Sequence, residues 1–409
     1  MADTHFKLQD GLLEAALARP SQPVQAGSAL PRDAHVAVLR DVRAFLALED
    51  QWRGLEAQSS PRRNVFQSFG WLKSWAVSYG GARGESPLSV ALGYRDGALV
   101  FAWPLMRVKS GPLTFLRWMS EPFGQYGDVL VAPGECPVSW MSEALRELSS
   151  QRGADGLRLR HVRADAVAAP FLRQCFRDTR FDEKAPWLDL TAFTGETAYE
   201  ARYSPAQRKR RKKIRKGLED AFGPVRFDLY RGGHAADTAI ERAIAEKSQW
   251  IDERGRQNRV LGCPRITDFL KGLSRASAGM ELVVSELSAG DRPVSWEIGL
   301  RAGGVHYAFI TSHVNALTDY SPARLHMDLS QRQALKDGMA AFDLMLPHDA
   351  YKDSWSSGAT PVNDYFLPLS PQGWAYGALY LERLRPVLRH AYYRMPPALL
   401  RLLKPITGH

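Results

Sequence analysis

Residues 305–355 read VHYAFITSHVNALTDYSPARLHMDLSQRQALKDGMAAFDLMLPHDAYKDSW. Aromatic and β-branched residues over 305–314 predict a strand. A helix is expected over 322–338, with Ser321 as its N-cap and Pro322 at the first helical position. The apolar run AAFDLML (340–346) predicts a second strand, and a short helix follows near 350–356. Such a helix start leaves the N–H groups of Ala323 and Arg324 unpaired with the macrodipole behind them, which suits a phosphate. Arg324 adds a charged fork. A well-capped helix with no ligand has the same signature.

Outward from this stretch, the chain alternates in the same way. Upstream, a helix is expected over 205–221, a strand over 225–230, and helices over 236–254 and 265–278. Strands follow over 280–287 and 292–301, with turns at Asp291 and Gly303-Gly304. Downstream, DYFLPL (364–369) is a further strand. The first half has a helix over 41–57, then an aromatic helix over 67–79 with Phe69, Trp71, Trp75 and Tyr79. A hairpin of 88–94 and 98–108 turns at Asp96-Gly97, and Pro104 marks an edge or a bulge. PLTFLRWM, GDVLVA and LRLRHV add strands, and 137–151 and 165–178 add helices.

Each half therefore mixes helices with an antiparallel-rich sheet. The expected class is α/β (α+β), with two domains of similar design. The boundaries are a tail over 1–35, domains over 36–190 and 191–370, and a basic amphipathic segment over 371–409. The repeat of YSPA at 203–206 and 320–323 is taken as coincidence, because the flanking elements differ.

The 409 residues carry a net charge of +10, and 45% are apolar, the profile of a globular protein with sizeable cores. The charge is local. Residues 207–216, QRKRRKKIRK, hold eight cations, and the C-terminal segment is also basic. The run reads as a short capped helix that meets phosphates, with no aromatic platform interleaved for single-stranded nucleic acid. Cys136, Cys175 and Cys263 show no disulfide or zinc spacing, and a cytoplasmic location is expected. No apolar run is long enough to span a membrane, and the N-terminus lacks a secretory signal. The C-terminal segment fits an anionic membrane surface or a docked terminal helix equally well. GxSxG, Walker, GxGxxG and HExxH patterns are missing, which argues against a serine hydrolase, phosphoryl transfer, dinucleotide redox and zinc hydrolysis.

The succession of strand, YSPxxL helix, GMAAFDLML and HDAYKDSW resembles the CelD/BcsL family of GNAT-like acyltransferases, which are related in fold to FemAB-type transferases. FQSFGWLKSWAVSYG, YRDGALVFAWPLMRV and the arginine-rich helix near 205–219 fit the same family, so the resemblance spans about 45–370. It implies two GNAT-like domains, each a mixed, largely antiparallel sheet flanked by helices, the second binding acyl-CoA. The thioester carbonyl then adds to the edge of a splayed strand, and the pyrophosphate rests at the start of helix 322–338. The implied cradle is Ser321, Ala323, Arg324 and Leu325. Ala323 stands where the family often has glycine. Tyr351 and Lys352 match the family's Tyr-Lys pair, as acceptor or CoA contacts, with Tyr351 as general acid for the thiolate. The implied activity is N-acylation, with acetyl-CoA as co-substrate and no metal, of a sugar of bacterial exopolysaccharide or cellulose or of its precursor. Peripheral association with an inner-membrane synthesis complex goes with it.

Acyl transfer needs a base and oxyanion donors. The candidates near the expected cleft are Glu297, His306, His313, Asp343, His348, Asp349, Tyr351 and Lys352. Glu297 in SWEIGL fits a site or an ordinary exposed strand position. Asp343, after Phe342 in an apolar strand, needs a partner and so a lining role. Lys247 and Trp250, three apart on one helical face, suit the acceptor side, and Trp355 is packing or a sugar platform. Two other classes remain open. One is FemAB-like aminoacyl transfer to a cell-wall precursor. The other is a nucleic-acid or nucleotide binder, cyclic dinucleotides included, using Arg256, Arg259 and the basic helix.

Overall fold

The computed structural model describes residues 30–59, 65–80, 87–151, 153–179, 183–253, 258, 260–275, 279–385 and 387–388. Most of the expected tail, Arg256, Arg259 and the chain from 389 onward lie outside the described residues. The chain divides into two compact units. One runs to Glu183 and resumes at Thr360; the other is Lys184–Ala359.

In the first unit, β1 (Ala34–Leu39) is followed by α1 (Val42–Leu46) and α2 (Glu49–Gln58), so the single helix expected over 41–57 is two. The aromatic helix forms as α3 (Phe69–Tyr79), capped by the Ser68 hydroxyl, which accepts from Trp71 N. Its Trp71, Leu72 and Trp75 are buried. β2 (Val90–Arg95) and β3 (Ala98–Trp103) form the expected hairpin. Pro104 does more than mark an edge. It ends β3, which pairs with β2 and β6 (Leu130–Val131). β4 (Leu105–Ser110) then pairs with β5 (Leu113–Trp118) instead. A proline supplies no ladder N–H, which suits the residue at which a chain changes sheets. α4 (Pro137–Ser150) lays Trp140 against Phe101, 6.0 Å away and nearly parallel. Gly93 on β2 makes room for it: a Cβ there would stand 2.5 Å from Trp140 Cε3. β7 (Gly156–Arg163), α5 (Ala169–Cys175) and the two-residue β8 (Arg177–Asp178) complete the run.

The strand Gly358–Pro368 explains the domain boundary. From Val362 it pairs antiparallel with β7, so the chain from Thr360 belongs to the first unit and not, as the sequence suggests, to the second. The following short α-helix, Pro371–Ala375, and π-helix, Tyr376–Leu384, pack Tyr376, Tyr380 and Leu381 on Phe115 and Phe366 of that unit. Trp374, Leu379, Leu384, Val387 and Leu388 are exposed.

The second unit starts with β9 (Glu183–Asp189) and α6 (Glu196–Ala201). The basic run is the middle of α7 (Pro205–Phe222), opened by a full capping box in which Ser204 and Gln207 exchange side-chain and backbone bonds. Arg208 donates to Tyr203 O, and Arg211 lies over the Tyr203 ring and pairs with Asp328. Lys209, Lys212, Lys213 and Lys216 face solvent. β10 (Val225–Tyr230), α8 (Gly233–Glu253), α9 (Ile266–Ser274), β11 (Glu281–Ala289), β12 (Arg292–Ala302), β13 (Val305–His313), α10 (Pro322–Lys336) and β14 (Ala341–Asp343) follow in order. The sheet order is β10-β11-β12-β13-β14-β9, antiparallel except for β13 with β14. Helices α8 and α10 both pack on its central strands. The two YSPA copies differ as their flanks suggest. Ser204 caps its helix; Ser321 takes a left-handed conformation (φ 53°) and its side chain makes no capping bond.

Candidate active site

The site is built where β13 loses a neighbour. β13 and β14 run parallel for only three register pairs, the last being Tyr307 with Asp343. β13 then continues to His313 while the β14 side leaves, so the strand edge beyond Tyr307 is not covered by β14. On the other edge, Ile298 faces Ile310 but Gly299 faces Ala308, which leaves Phe309 as an extra residue in a bulge. AAFDLML yields only the short strand Ala341–Asp343 because the chain turns at Met345 (φ 59°).

Beside this opened edge lies a cavity of about 340 Å³. It brings together nine of the residues singled out from the sequence: Lys247 and Trp250 from α8, Glu297 from β12, His313 from β13, Ala323 and Arg324 from α10, and Asp349, Tyr351 and Trp355. Trp296 adds a further ring to those of Trp250, Tyr351 and Trp355, and polar side chains fill much of the remaining wall. Lys247 Nζ lies 4.7 Å from the centre of the Trp250 ring. Ala323 and Arg324 are exposed at the rim. Arg324 N donates to Ser321 O at 3.1 Å, so that N–H is not the unpaired donor its sequence position suggests. Trp355 is buried and packs edge-on against Tyr203.

Glu297 is no surface residue. Only 2% of it is exposed, and Oε1 accepts from His306 Nε2 at 2.8 Å. Its other oxygen, Oε2, has no hydrogen-bond partner among the described residues, and neither has Oγ of the neighbouring buried Ser312. Buried polar atoms are nearly always paired, so orphans beside a cavity point to a ligand. Burial pushes the Glu297 carboxyl up, but the bond from His306 and the Arg301 cation behind it hold the group below its usual range. Tyr351 is half exposed, and loss of solvent, then the charge of Asp349, raise its phenol. It therefore stays protonated at neutral pH, as a proton donor must.

Five of the other candidates do not line the cavity. Lys352 is buried, and its ammonium donates to Leu344 O, Met345 O and Pro347 O, each at 2.8 Å. That fork closes the turn after β14 and leaves no proton to contact CoA or acceptor. Asp343 is buried and accepts from Met345 N, bracing the same turn rather than lining the cavity. Leu325 points to the α7 side, in the cluster with Leu218, Leu287 and Leu317. Ser321, in a left-handed conformation and with no side-chain capping bond, precedes the lining residues Ala323 and Arg324 without lining the cavity itself. His348 pairs with Asp353 away from the cavity.

The sequence leaves His326 unmarked. It lines the cavity from α10, with Nε2 2.7 Å from Ser285 Oγ, and burial brings its pKa down to about 4. Its signal is its place on the buried helix face with Pro322, Leu325 and Ser330. Among the described residues no cluster of histidine, cysteine and carboxylate side chains has the make-up of a metal site, and no helix is long and apolar enough to cross a membrane.

Residues 206–353 match the family model described as an acetyltransferase (GNAT) domain. No curated protein matches the sequence. Among solved structures, FemX is similar in fold with a TM-score of 0.56 at 11% identity, over 81% of this chain and 98% of that one. A conserved protein of unknown function from Bacteroides thetaiotaomicron VPI-5482 gives a TM-score of 0.51 at 10% identity, over 82% of this chain and 100% of that one. The matched segment spans β10 to β14, the opened strand edge and the cavity, so this chain is an acyltransferase that carries a GNAT acetyltransferase domain in its second unit.

Proposed function

We propose that the chain moves an acetyl group from acetyl-CoA to the amine of a sugar in a bacterial exopolysaccharide or its precursor. The observation that carries this is the free Oε2 of Glu297, buried in the wall of a cavity that lies between the opened edge of β13 and the start of α10. The residues present fit the co-substrate: Arg324 at the rim suits its phosphates, and the uncovered edge of β13 offers backbone donors to a carbonyl. When bound, acyl-CoA supplies the activated carbonyl. Glu297 takes the proton from the acceptor nitrogen as the new N–C bond forms, and Tyr351 returns a proton to the departing thiolate. Trp250, Trp296 and Tyr351 give flat apolar faces of the kind sugar rings stack on, and Asp349 a polar anchor.

The test is transfer from acetyl-CoA to a panel of amino sugars, followed by thiol release and acceptor mass. Glu297→Gln should lower kcat/KM by about 10²–10⁴-fold with the fold retained. FemX being similar in fold, an aminoacyl-tRNA arm belongs in the same experiment. Transfer from aminoacyl-tRNA and none from acetyl-CoA would overturn the proposal.

A further inference from the structure

Glu297, Gly299 and Arg301 alternate along one face of β12, and His306 faces Arg301 across the β12–β13 pair. The gap at Gly299 is filled by the His306 ring. A Cβ at Gly299 would stand 2.6 Å from His306 Cε1 and 2.7 Å from Nε2. On its other side the ring lies flat on Phe342, with centroids 4.7 Å apart and planes at 14°. The imidazole is thus held edge-on between its two strand neighbours, bonding to each.

The bonds have a direction. Arg301 Nε can only donate, and it reaches His306 Nδ1 at 3.1 Å, so Nδ1 accepts. The ring proton then sits on Nε2, which donates to Glu297 Oε1. Arg301 is itself buried, and its Nη1 lies 2.7 Å from Asp337 Oδ2. Asp337 is held in turn by Arg231 and Gln333. The line of contacts runs from Asp337 through Arg301 and His306 to one oxygen of Glu297, and the second oxygen is the orphan at the cavity.

We propose that Arg301 and His306 are positioning residues: Arg301 fixes His306 in the tautomer that donates to Glu297, which keeps Glu297 ionised with Oε2 free for the acceptor. This rests on reading Glu297 as the base. A second proton on the ring would have to lie against the Arg301 cation, so the relay works with a neutral ring. The other titratable groups around Glu297 are His326 on α10 and, across the cavity, Lys247, His313, Arg324, Asp349 and Tyr351.

The experiment has two readouts on the full chain. The first, without any substrate, is the titration of the Glu297 carboxylate by infrared difference spectroscopy, assigned by its loss in Glu297→Gln. The second is the pH dependence of kcat/KM for acetyl transfer. His306→Leu removes the donor, so Glu297 should titrate at least one pH unit higher, and the acid limb of the rate profile should move by the same amount. His306→Gln can both accept from Arg301 and donate to Glu297, and should restore most of the shift. Arg301→Met should move the titration in the same direction as His306→Leu. If the leucine variant fails to fold, His306→Asn poses the same question with a polar side chain too short to reach Glu297. A Glu297 titration unmoved in the folded leucine or asparagine variant overturns the relay. A shifted titration with no acetyl transfer in any variant upholds the relay and removes the proposed reaction.

Discussion

The two units bury different things. Of the twelve largest fully buried side chains among the described residues, eleven lie in the first unit, among them Trp52, Trp71, Trp103 and Trp140, and Tyr199 lies in the second. The second unit buries more of its charged side chains, among them Glu297, Arg301, His306, His326 and Lys352, against Glu56, Asp128 and Asp364 in the first. Aromatic burial stabilises through area and close packing. Buried polar and charged groups are costly unless each finds a partner, so a unit that concentrates them round a cavity is organised for chemistry before stability. The first unit has the make-up of a scaffold and the second that of a site.

Three measurements test that contrast. Trp140→Ala should give the largest effect, about 3–5 kcal/mol, since the ring is fully buried against Phe101 and seated over Gly93. Hydrogen exchange should place the loss in the first unit, with β11 to β13 still protected. Loss of protection in both units at once would mean that they are not separate in stability.

Lys352→Met should lower stability by about 2–4 kcal/mol in urea melts, because three carbonyls, two of them buried, lose a charged donor. If turnover falls with stability unchanged, Lys352 contacts a substrate and the structural assignment is wrong.

The smallest effect is on pH. His326 has a folded pKa of about 4, below the ordinary 6.5, so the unfolded chain binds its proton first and stability is lost as pH falls from 6.5 towards 4. The lowered carboxyl of Glu297 works in the same sense, its stabilisation disappearing as pH falls through its folded pKa. The first unit also has a buried histidine at about 4, His161, but it is opposed by Asp128, raised to about 6 by burial, which adds stability as pH falls through 6. Acid should therefore loosen the second unit first, by of order 2–3 kcal/mol between pH 6.5 and 4. Exchange rates that rise equally in both units across this range would remove the distinction.

Most of the secondary structure was legible because its signals are local. The capping of α7 by Ser204, the Asp96-Gly97 hairpin turn and the strands of the second sheet follow from residues within a turn or a strand of one another. The failures have two causes. Pro104 switching sheets and the strand Gly358–Pro368 returning to β7 depend on partners distant in sequence, whereas the turn that shortens AAFDLML to three residues is held by Asp343 and Lys352, near in sequence, through side-chain bonds to the backbone that leave no periodic pattern.

The site divides in the same way. Glu297 and Asp343 stood out by residue type and pattern, and Tyr351 and Lys352 through the family resemblance, but neither signal says where a proton or lone pair is already committed. Lys352 and Asp343 are committed to backbone groups of one turn; Glu297 keeps one oxygen uncommitted. His326 and Arg301 went unmarked because a histidine on a helix and an arginine on a strand carry no signal until a serine, a second histidine or a carboxylate is brought within hydrogen-bonding range. The amino-acid sequence by itself determined the elements, the class of fold and the kinds of side chain available for acyl transfer. Only the tertiary structure decided which of them face the cavity with a free atom, because pairing energies depend on distance and burial, and both are set by strands that meet far apart along the chain.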